Sequence, residues 1–330
     1  MKTRILGKNL EVSAVGLGCM GMSHAYGTPP ERKAMRELLA QAVDLGYTFF
    51  DTAELYGSAE NPNDNEELLG EALGPYRNRI VLGTKFGIRF DYTSKETNLP
   101  VIPDARPEVI RKSVEGSLRR LGTDHIDLYY QHRQDPKVPV EEVAGVMADL
   151  IREGKILHWG LSEVDGDTIR RAHAVCPVTA IQNRYSMMAR WHEAVFPVLE
   201  ELDIGYVAFS PMANGLLSGK YDQNSVFEPV ADVMPQFRKD SFEKNKELLE
   251  LVRTIAAERK ATPAQISLAW MLCKKPYIVP IPGSRKLERL TENAGAADVV
   301  LTEQEVSEID QALDAMSMSA VYGGAPVIKA

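Results

Sequence analysis

The chain has 330 residues, of which 44% are hydrophobic and 25% are charged, and its formal net charge is −8 at pH 7. This composition supports a large buried core and excludes a mostly disordered chain. The acidic balance argues against nucleic acid or an anionic membrane surface as the main partner. No window approaches the roughly 18 consecutive apolar residues of a membrane span, so we expect none.

The cysteine pattern indicates a reducing compartment. Cys19, Cys176 and Cys273 lie far apart and form no C-x-x-C pair. An odd number of scattered thiols suits the cytoplasm better than a disulfide framework. The first residues lead into no long apolar run, which predicts no signal peptide. We therefore expect a cytoplasmic protein.

Short β-rich runs alternate with helix-period segments along the chain. The segment Arg4–Val12, around Gly7, predicts a hairpin that could plug the bottom of a barrel. The following β-rich runs are Ala14–Gly18, Thr48–Asp51, Ile80–Thr84, Ile126–Gln131, Ile156–Leu161, Thr179–Gln182, Gly205–Phe209 and Ile278–Ile281. The helical segments include Glu31–Leu45, Asn65–Leu73, Pro107–Leu121, Val140–Glu153, Asp167–Ala174, His192–Leu202, Phe242–Arg259, Ala264–Leu272 and Lys286–Ala297. Thr262 and Pro263, which are typical of a helix start, precede Ala264. Eight such alternations predict a single (β/α)8 TIM barrel domain over residues 1–330.

Two connections and the C-terminal tail are long enough to carry function. Phe86–Arg106 follows the third strand and Ser210–Ser241 follows the seventh. Loops of this length are usually lids or binding loops, so we expect them at the C-terminal rim of the barrel. The Ala/Gly/Ser-rich tail after Leu313 is expected either to fold over the mouth of the pocket or to stay mobile.

A glycine motif near the N-terminus has two interpretations. Gly16–Gly21 matches G-x-G-x-x-G after a plausible strand. In a dinucleotide-binding Rossmann domain this motif opens directly into a helix that binds the pyrophosphate. Here Met22–Pro30 reads as a loop, and the helix is expected to start only near Glu31. A tight loop at a barrel rim, with glycines that let a ligand approach closely, is therefore favoured.

Polar residues follow successive strands, where the catalytic groups of such barrels lie. Asp51 and Tyr56 follow the second strand, Lys85 the third and His132 the fourth. An ammonium stabilises a nearby phenolate and lowers the pKa of the phenol, and a carboxylate holds the ammonium. With a histidine on the substrate oxygen, such a set protonates a carbonyl while another group delivers hydride. Each of these residues alone is compatible with an ordinary structural role, but their occurrence together at one rim favours a catalytic role.

The segment Gly283–Asn293, after the eighth strand, predicts an anion site. Ser284, Arg285 and Arg289 offer a hydroxyl and two guanidinium groups to a phosphate. The start of a helix also favours an anion. For this segment alone, a solvated basic helix face is the alternative.

These motifs resemble those of the aldo-keto reductase superfamily, near the bacterial and plant members active on assorted aldehydes and ketones. VGLGCMGMS, FFDTAELYG, LGTKFG, IDLYYQHR, GKILHWGLSE, IQNRYS, FSPMANGLLSGK and IPGSRKLERLTENAGA occur in the family's order over nearly the whole chain. The resemblance implies that Tyr56 protonates the carbonyl oxygen and that Lys85 tunes it. It also implies that Asp51 is the ion-pair partner of Lys85 and that His132 orients the carbonyl.

The resemblance further implies NADPH or NADP+ as the cofactor, bound extended across the rim, and a small-molecule carbonyl as the substrate. Ser162, Glu163 and Gln182 match the positions that hold the carboxamide, and Phe209 matches the aromatic ring that stacks on the nicotinamide. Many relatives have Asn in place of Glu163, whose carboxylate accepts hydrogen bonds but donates none. The other cofactor residues implied are Ser210, Pro211, Met212, Gly215, Leu217, Lys220, Gly283, Ser284, Arg285, Arg289, Glu292 and Asn293.

The substrate wall is expected to include Met20, Phe86, Phe90 and Arg133, which lie near strand ends and suggest a wide, mostly apolar pocket. Core packing accounts for Met20 and Phe86 equally well.

Three other functions compete with carbonyl reduction. A non-enzymatic, cofactor-bound regulatory subunit of the same fold is the main alternative, and the intact set of four residues argues against it. A metal-dependent hydrolase or lyase using Asp51 and His132 is disfavoured because the six histidines are widely scattered. A Rossmann dehydrogenase would need a helix that begins at Gly21. The physiological substrate, the preferred direction and assembly into a homo-oligomer are left open by the sequence.

Overall fold

The structure, a computed structural model, describes residues 1–96, 99–222, 224–225 and 234–322. It begins with an antiparallel hairpin of β1 (Thr3–Leu6) and β2 (Leu10–Ser13). The remaining strands are β3 (Leu17–Gly18), β4 (Phe49–Asp51), β5 (Val81–Phe86), β6 (Ile88–Phe90), β7 (Val101–Pro103), β8 (Ile126–Gln131), β9 (Ile156–Ser162), β10 (Ala180–Arg184), β11 (Gly205–Phe209) and β12 (Ile278–Pro280).

Eight of these strands form one parallel sheet in the order β3-β4-β5-β8-β9-β10-β11-β12. The two outer strands meet as well. The backbone N–H of Gly16 donates to the carbonyl of Pro280 at 3.0 Å, and the N–H of Gly18 donates to that of Pro282 at 3.4 Å. These bonds join the first strand to the last, which confirms the predicted barrel.

Helices surround the barrel. They are α1 (Arg32–Asp44), α2 (Asp64–Leu73), α3 (Pro107–Leu121), α4 (Val140–Arg152), α5 (Gly166–Val175), α6 (Phe196–Leu202), α7 (Lys239–Lys244), α8 (Lys246–Arg259), α9 (Pro263–Lys274), α10 (Leu287–Gly295) and α11 (Glu303–Ala315). Helix α9 begins with Thr262 as its cap and Pro263 in its first turn, as its sequence predicts. The structure adds a reciprocal capping box between Thr262 and Gln265. None of the helices in the described ranges is long and apolar enough to cross a membrane.

The N-terminal hairpin closes the bottom of the barrel, as expected. Leu6, Leu10 and Val12 pack with barrel-lining residues such as Phe49 and Val207 in one buried cluster. A second, larger cluster fills the space between the strands and the helices. Because the bottom is filled with apolar side chains, the polar strand ends at the opposite rim are the part of the barrel open to a ligand.

The Rossmann interpretation is wrong. Met20–Met22 form only a short 3-10 turn, and the first α-helix begins at Arg32. The role expected for the glycines also needs correction. A Cβ on Gly18 would lie 2.7 Å from the carbonyl oxygen of Ile281, and one on Gly16 would lie 2.7 Å from the Phe49 ring. These glycines let β3 approach its neighbouring strand and the core, rather than a ligand.

Several elements differ from the sequence prediction. The predicted helix Phe242–Arg259 is two helices, because the fully buried side chain of Asn245 bonds to the backbone and side chain of Ser319 at the break. The predicted helix His192–Leu202 begins with the 3-10 turn Trp191–Val195. Strands β6 and β7 pair within the first long loop, and α11 precedes the tail; neither was predicted. Parts of the long loops and tail, residues 97–98, 223, 226–233 and 323–330, lie outside the described residues.

Candidate active site

A buried lysine forms the centre of the polar rim. Lys85 Nζ lies 2.6 Å from Asp51 Oδ1, 2.7 Å from the carbonyl oxygen of Thr52 and 3.1 Å from Tyr56 Oη. An ammonium has three N–H donors, so these acceptors satisfy all of them. Lys85 is 1% exposed and Asp51 is 3% exposed. The ends of β4 and β5 thus hold the ammonium rigidly beside the phenol.

The second carboxylate oxygen of Asp51 is also bound. Gln182 Nε2, from β10, donates to Asp51 Oδ2 at 2.7 Å. Burial raises the pKa of Asp51, and Lys85 and Gln182 oppose that rise. Burial lowers the pKa of Lys85, but Asp51 and Tyr56 outweigh it and the net shift is upward. Lys85 is therefore charged at neutral pH.

Tyr56 and His132 face each other above this pair. Their ring centroids are 5.6 Å apart in an edge-to-face arrangement. Burial lowers the pKa of His132 well below its ordinary value, with Lys85 and Arg133 adding to the effect, so the imidazole is neutral. Its Nδ1 atom is buried and has no hydrogen-bond partner among the residues that the structure describes. A neutral imidazole keeps one N–H that can be donated to a substrate oxygen.

The pKa of Tyr56 differs from the sequence-based expectation. Burial raises it, and Lys85 only partly counteracts the rise. The expectation considered the ammonium but not the loss of water around the phenol, and desolvation penalises the phenolate. Tyr56 is therefore protonated at neutral pH, as a proton donor must be.

The loop after β3 covers the phenol, which the sequence did not reveal. The His24 ring stacks on Tyr56 with centroids 6.0 Å apart, and its Nδ1 lies 2.7 Å from the carbonyl oxygen of Gly57. Ser23 Oγ donates to the carbonyl oxygen of Tyr56 at 2.7 Å. The fully buried Asn65 donates to Ser23 Oγ at 2.6 Å. No periodic pattern marks His24 or Ser23, since both lie in an irregular loop.

Glu163 does not extend freely towards a ligand. It has a positive φ of 58°, which is uncommon for a residue with a side chain. Its Oε1 accepts from the backbone N–H of Arg184 at 2.8 Å and lies 3.6 Å from His192 Nε2. Its own N–H donates to Asn183 Oδ1 at 2.7 Å. Asn183 was not predicted, although an asparagine inside a buried strand is itself an unusual signal.

The other predicted carboxamide residues lie beside the cluster of Asp51, Lys85, Tyr56 and His132. Ser162, at the end of β9, has its hydroxyl 3.3 Å from Arg133 Nη1, which also donates to the carbonyl oxygen of His132 at 2.6 Å. Gln182 bonds to Asp51 as described. Phe209, at the end of β11, lies beneath Arg184, with the guanidinium carbon 4.9 Å from the ring centroid.

The loop after β11 turns sharply. Ser210, Ala213, Asn214 and Gly215 all have positive φ, from 47° to 103°. Asn214 Nδ2 donates to Tyr26 Oη at 3.0 Å, which ties this loop to the loop after β3. The remaining predicted residues form the rest of the same turn: Pro211 is buried, Met212 packs against the core, the Leu217 carbonyl accepts from Ser267 Oγ, and Lys220 lies over the Tyr221 ring.

Two arginines lie around the start of α10. Arg285 donates to the carbonyl oxygens of Gly21 and Thr28, and its Nη2 is buried with no hydrogen-bond partner in the described part of the chain. Arg289 pairs with Glu292 at 2.5 Å. The other members of this predicted group surround them: a Cβ on Gly283 would lie 2.8 Å from the Gly18 carbonyl oxygen, Ser284 Oγ accepts from the N–H of Lys286, and Asn293 is buried. The unpartnered Nη2 fits an anionic group such as a phosphate.

The predicted substrate wall is brought together only in part. Phe86 is 1% exposed and packs on the Tyr129 ring at 4.7 Å, so it is a core residue and not part of an open wall. Met20 and Arg133 are half-buried at the rim, and Phe90 lies against Tyr92 in the first long loop. In the part of the chain that the structure describes, no group of three or more His, Cys, Asp and Glu residues could hold a metal ion.

A β/α barrel with an Asp-Tyr-Lys-His cluster at its C-terminal rim is an enzyme-like arrangement, and comparisons with known proteins identify the class. The sequence profile of the Aldo/keto reductase family matches residues 14–314. The chain is 40% identical over 321 residues to "Probable aldo-keto reductase 1" from Glycine max, covering 96% of this chain and 89% of that protein. The chain therefore belongs to the aldo/keto reductase family of oxidoreductases.

Solved structures agree with this assignment. The glycerol dehydrogenase from Gluconobacter oxydans superimposes with a TM-score of 0.85 at 28% identity, over 99% of this chain and 98% of that one. A thermostable aldo-keto reductase solved with the inhibitor epalrestat gives a TM-score of 0.74 at 28% identity, over 94% and 100% of the two chains. Membership in the family supports carbonyl reduction with a nicotinamide cofactor in general.

Proposed function

We propose that the protein reduces aldehydes and ketones to alcohols with NADPH, and that Tyr56 is the general acid. The observation that carries this proposal is the chain of contacts from Asp51 through Lys85 to Tyr56, with Lys85 Nζ 3.1 Å from the phenol oxygen. When the phenol gives its proton to a carbonyl oxygen, the phenolate that remains keeps this hydrogen bond from the ammonium. Stabilising charge where it develops lowers the barrier.

His132 acts as the second contact to the substrate oxygen. Its lowered pKa keeps the ring neutral, so it donates an N–H to the carbonyl without adding a charge. The edge-to-face arrangement with Tyr56 places both groups on one side of the rim. The substrate oxygen then lies between two donors, which orients the carbonyl carbon towards the cofactor.

The residues of this chain suit NADPH. When bound, the cofactor supplies the hydride. Ser162 and Gln182 would hold the carboxamide and Phe209 would stack on the ring, while Arg285 and Arg289 would hold the 2′-phosphate. The buried and unpartnered Nη2 of Arg285 supports the last assignment. Glu163 shapes the end of β9 through Arg184 and His192 rather than binding the amide.

Two further observations support the proposal. The glycerol dehydrogenase from Gluconobacter oxydans is named for interconverting an alcohol and a carbonyl, and it shares nearly the full length of this fold. Cys19, Cys176 and Cys273 are all free thiols. We infer that the reaction takes place in a reducing cytoplasm.

The test is direct. NADPH fluorescence is followed during titration into the purified protein, and absorbance of the reduced nicotinamide is then followed after addition of a panel of aldehydes. Binding followed by oxidation of NADPH supports the proposal. Tight binding without turnover of any aldehyde would favour a cofactor-bound regulatory subunit instead. Absence of binding would overturn the assignment of the cofactor residues.

A further inference from the structure

Arg184 is a buried cation without a hydrogen-bond or ion-pair partner at the mouth of the site. It is 9% exposed, and among the described residues its guanidinium has neither kind of contact. Every other arginine that lacks an ion pair in this part of the chain is either exposed or donates to a backbone carbonyl, as Arg4, Arg133 and Arg285 do. A mostly buried cation is costly unless a partner or solvent compensates its charge.

The strand places Arg184 above the catalytic cluster. Ala180 and Val207, from neighbouring strands, belong to the barrel interior. Side chains alternate along a strand, so Gln182 and Arg184 also face inward. Gln182 binds Asp51, and two residues of strand rise about 6–7 Å. Arg184 therefore lies one step nearer the opening than the group that contacts Asp51.

The aromatic contacts of Arg184 leave its donors free. The guanidinium carbon lies 4.9 Å from the Phe209 ring centroid and 5.9 Å from that of Tyr322. Rings stack on the faces of a guanidinium, whereas its five N–H groups lie in its plane. The Arg184 side-chain nitrogens are not fully buried, so they keep contact with solvent. The in-plane donors therefore stay available to an anion such as a carboxylate.

The local charge is consistent with an anionic ligand. Burial lowers the pKa of Arg184, and the positive charge of Arg133 lowers it further. Glu163 and Tyr26 raise the pKa but do not outweigh burial. Glu163 does not neutralise the guanidinium, because its carboxylate accepts from the Arg184 backbone N–H and lies beside His192. Arg133 donates to His132 and Ser162 and forms no ion pair among the described residues. A chain of net charge −8 thus keeps two uncompensated guanidinium groups beside its catalytic cluster.

We propose that the preferred substrates are oxoacids, aldehydes or ketones that carry a carboxylate, and that Arg184 pairs with this carboxylate while Arg133 adds attraction nearer His132. The inference rests on the proposed function and specifies its substrate class. The reaction is unchanged: hydride adds to the carbonyl carbon and the Tyr56 proton adds to its oxygen, while the carboxylate takes no part in bond making. A guanidinium matches a carboxylate through two parallel hydrogen bonds.

The test compares an acid with its neutral ester. The rate of NADPH oxidation is measured with 4-carboxybenzaldehyde and with methyl 4-formylbenzoate, and the ratio of their kcat/KM values is compared among variants, which cancels the intrinsic reactivity of each aldehyde. We expect Arg184→Met to lower this acid-to-ester ratio by about 10- to 100-fold, since hydrogen bonds to charged groups contribute at this level. Arg184→Lys keeps the charge and the ring contacts, and should retain part of the ratio.

A control variant and two further outcomes distinguish carboxylate binding from a packing role and from cofactor binding. Arg253→Met removes the same charge from the exposed face of α8 and should leave the ratio unchanged. An unchanged ratio in Arg184→Met would overturn the inference and leave the arginine as packing for Phe209 and Tyr322. Weaker NADPH binding with an unchanged ratio would overturn it in favour of a cofactor phosphate. If no aldehyde oxidises NADPH in the wild-type protein, the proposed function itself is overturned. If the ester is turned over and the acid is not preferred, only the inference about carboxylate substrates is overturned.

Discussion

The proposed catalytic cluster and the proposed 2′-phosphate region differ in how their cations are held. Lys85 is almost fully buried, and its three donors point at Asp51, Thr52 and Tyr56. Arg289, in contrast, is partly exposed and bound by Glu292, three residues along the same helix. The lysine already has the contacts that its proposed role requires, whereas the arginine would have to exchange a protein carboxylate for a ligand.

This difference has a physical cause. The strand ends are held on both sides by the backbone hydrogen bonds of the sheet, so side chains projecting from them keep a fixed geometry. A partly exposed ion pair on a helix contributes little to stability, so exchanging its partner costs little. We infer that proton transfer relies on a preorganised group, while cofactor capture relies on groups that rearrange.

The largest effect is expected at the phenol. Tyr56→Phe removes the proton donor and, with it, one of the three acceptors of Lys85, so kcat should fall by about 10²- to 10⁴-fold while NADPH affinity changes little. Steady-state rates and NADPH fluorescence measure the two quantities. Tyr92→Phe removes an exposed hydroxyl that bonds to the Ala59 carbonyl, and it should keep full activity. A Tyr56→Phe enzyme with most of its activity would refute the acid assignment.

The buried ion pair should be the main stability determinant of the site. Lys85→Met leaves the Asp51 carboxylate buried without its cation, so the free energy of unfolding should fall by about 3–5 kcal/mol. Denaturant unfolding measures this loss. The same substitution in the exposed pair of Lys244 and Asp240 should cost less than about 1 kcal/mol. Similar losses in both variants would remove the contrast between a preorganised and an exposed cation.

Substitution in the proposed 2′-phosphate region should change the preference between NADPH and NADH rather than the turnover rate. Arg289→Ala should weaken NADPH binding by about 10-fold or more and leave NADH binding nearly unchanged, because only NADPH carries the 2′-phosphate. Fluorescence titration with both cofactors measures the difference, with Arg253→Ala as a remote control. Equal losses for the two cofactors would contradict the assignment.

The smallest effect concerns pH. Burial, aided by Lys85, Arg133 and His24, lowers the pKa of His132 in the folded state. Above the unfolded-state pKa of about 6.5, His132 is neutral in both the folded and the unfolded protein. Below that pH only the unfolded protein binds the proton, so the free energy of unfolding falls as the pH falls. The slope is at most about 1.4 kcal/mol per pH unit. Unfolding curves between about pH 7 and 5 should be less pH-dependent for His132→Gln; equal slopes would contradict a neutral, buried imidazole.

Local patterns predicted most of the architecture. The runs Ile126–Gln131 and Gly205–Phe209 are strands with the predicted bounds, because β-rich sequence and burial on both faces agree there. The start of α9 followed from its threonine cap and proline. The capping box of Thr302 and Glu305 carries the same signal for α11, a helix that was not predicted. The sheet edge that collects Asp51, Lys85 and His132 follows directly from the β/α alternation.

Only the tertiary structure decided how the side chains at that edge use their donors and acceptors. Gln182 donates to Asp51, and Phe86 is buried in the core. The Glu163 carboxylate accepts from the Arg184 backbone N–H and lies beside His192. These outcomes depend on contacts between residues far apart in the chain, which no local pattern contains. Spacing along a strand determines which edge a side chain joins; burial and the partners that surround it determine its charge, its pKa and whether a ligand can reach it.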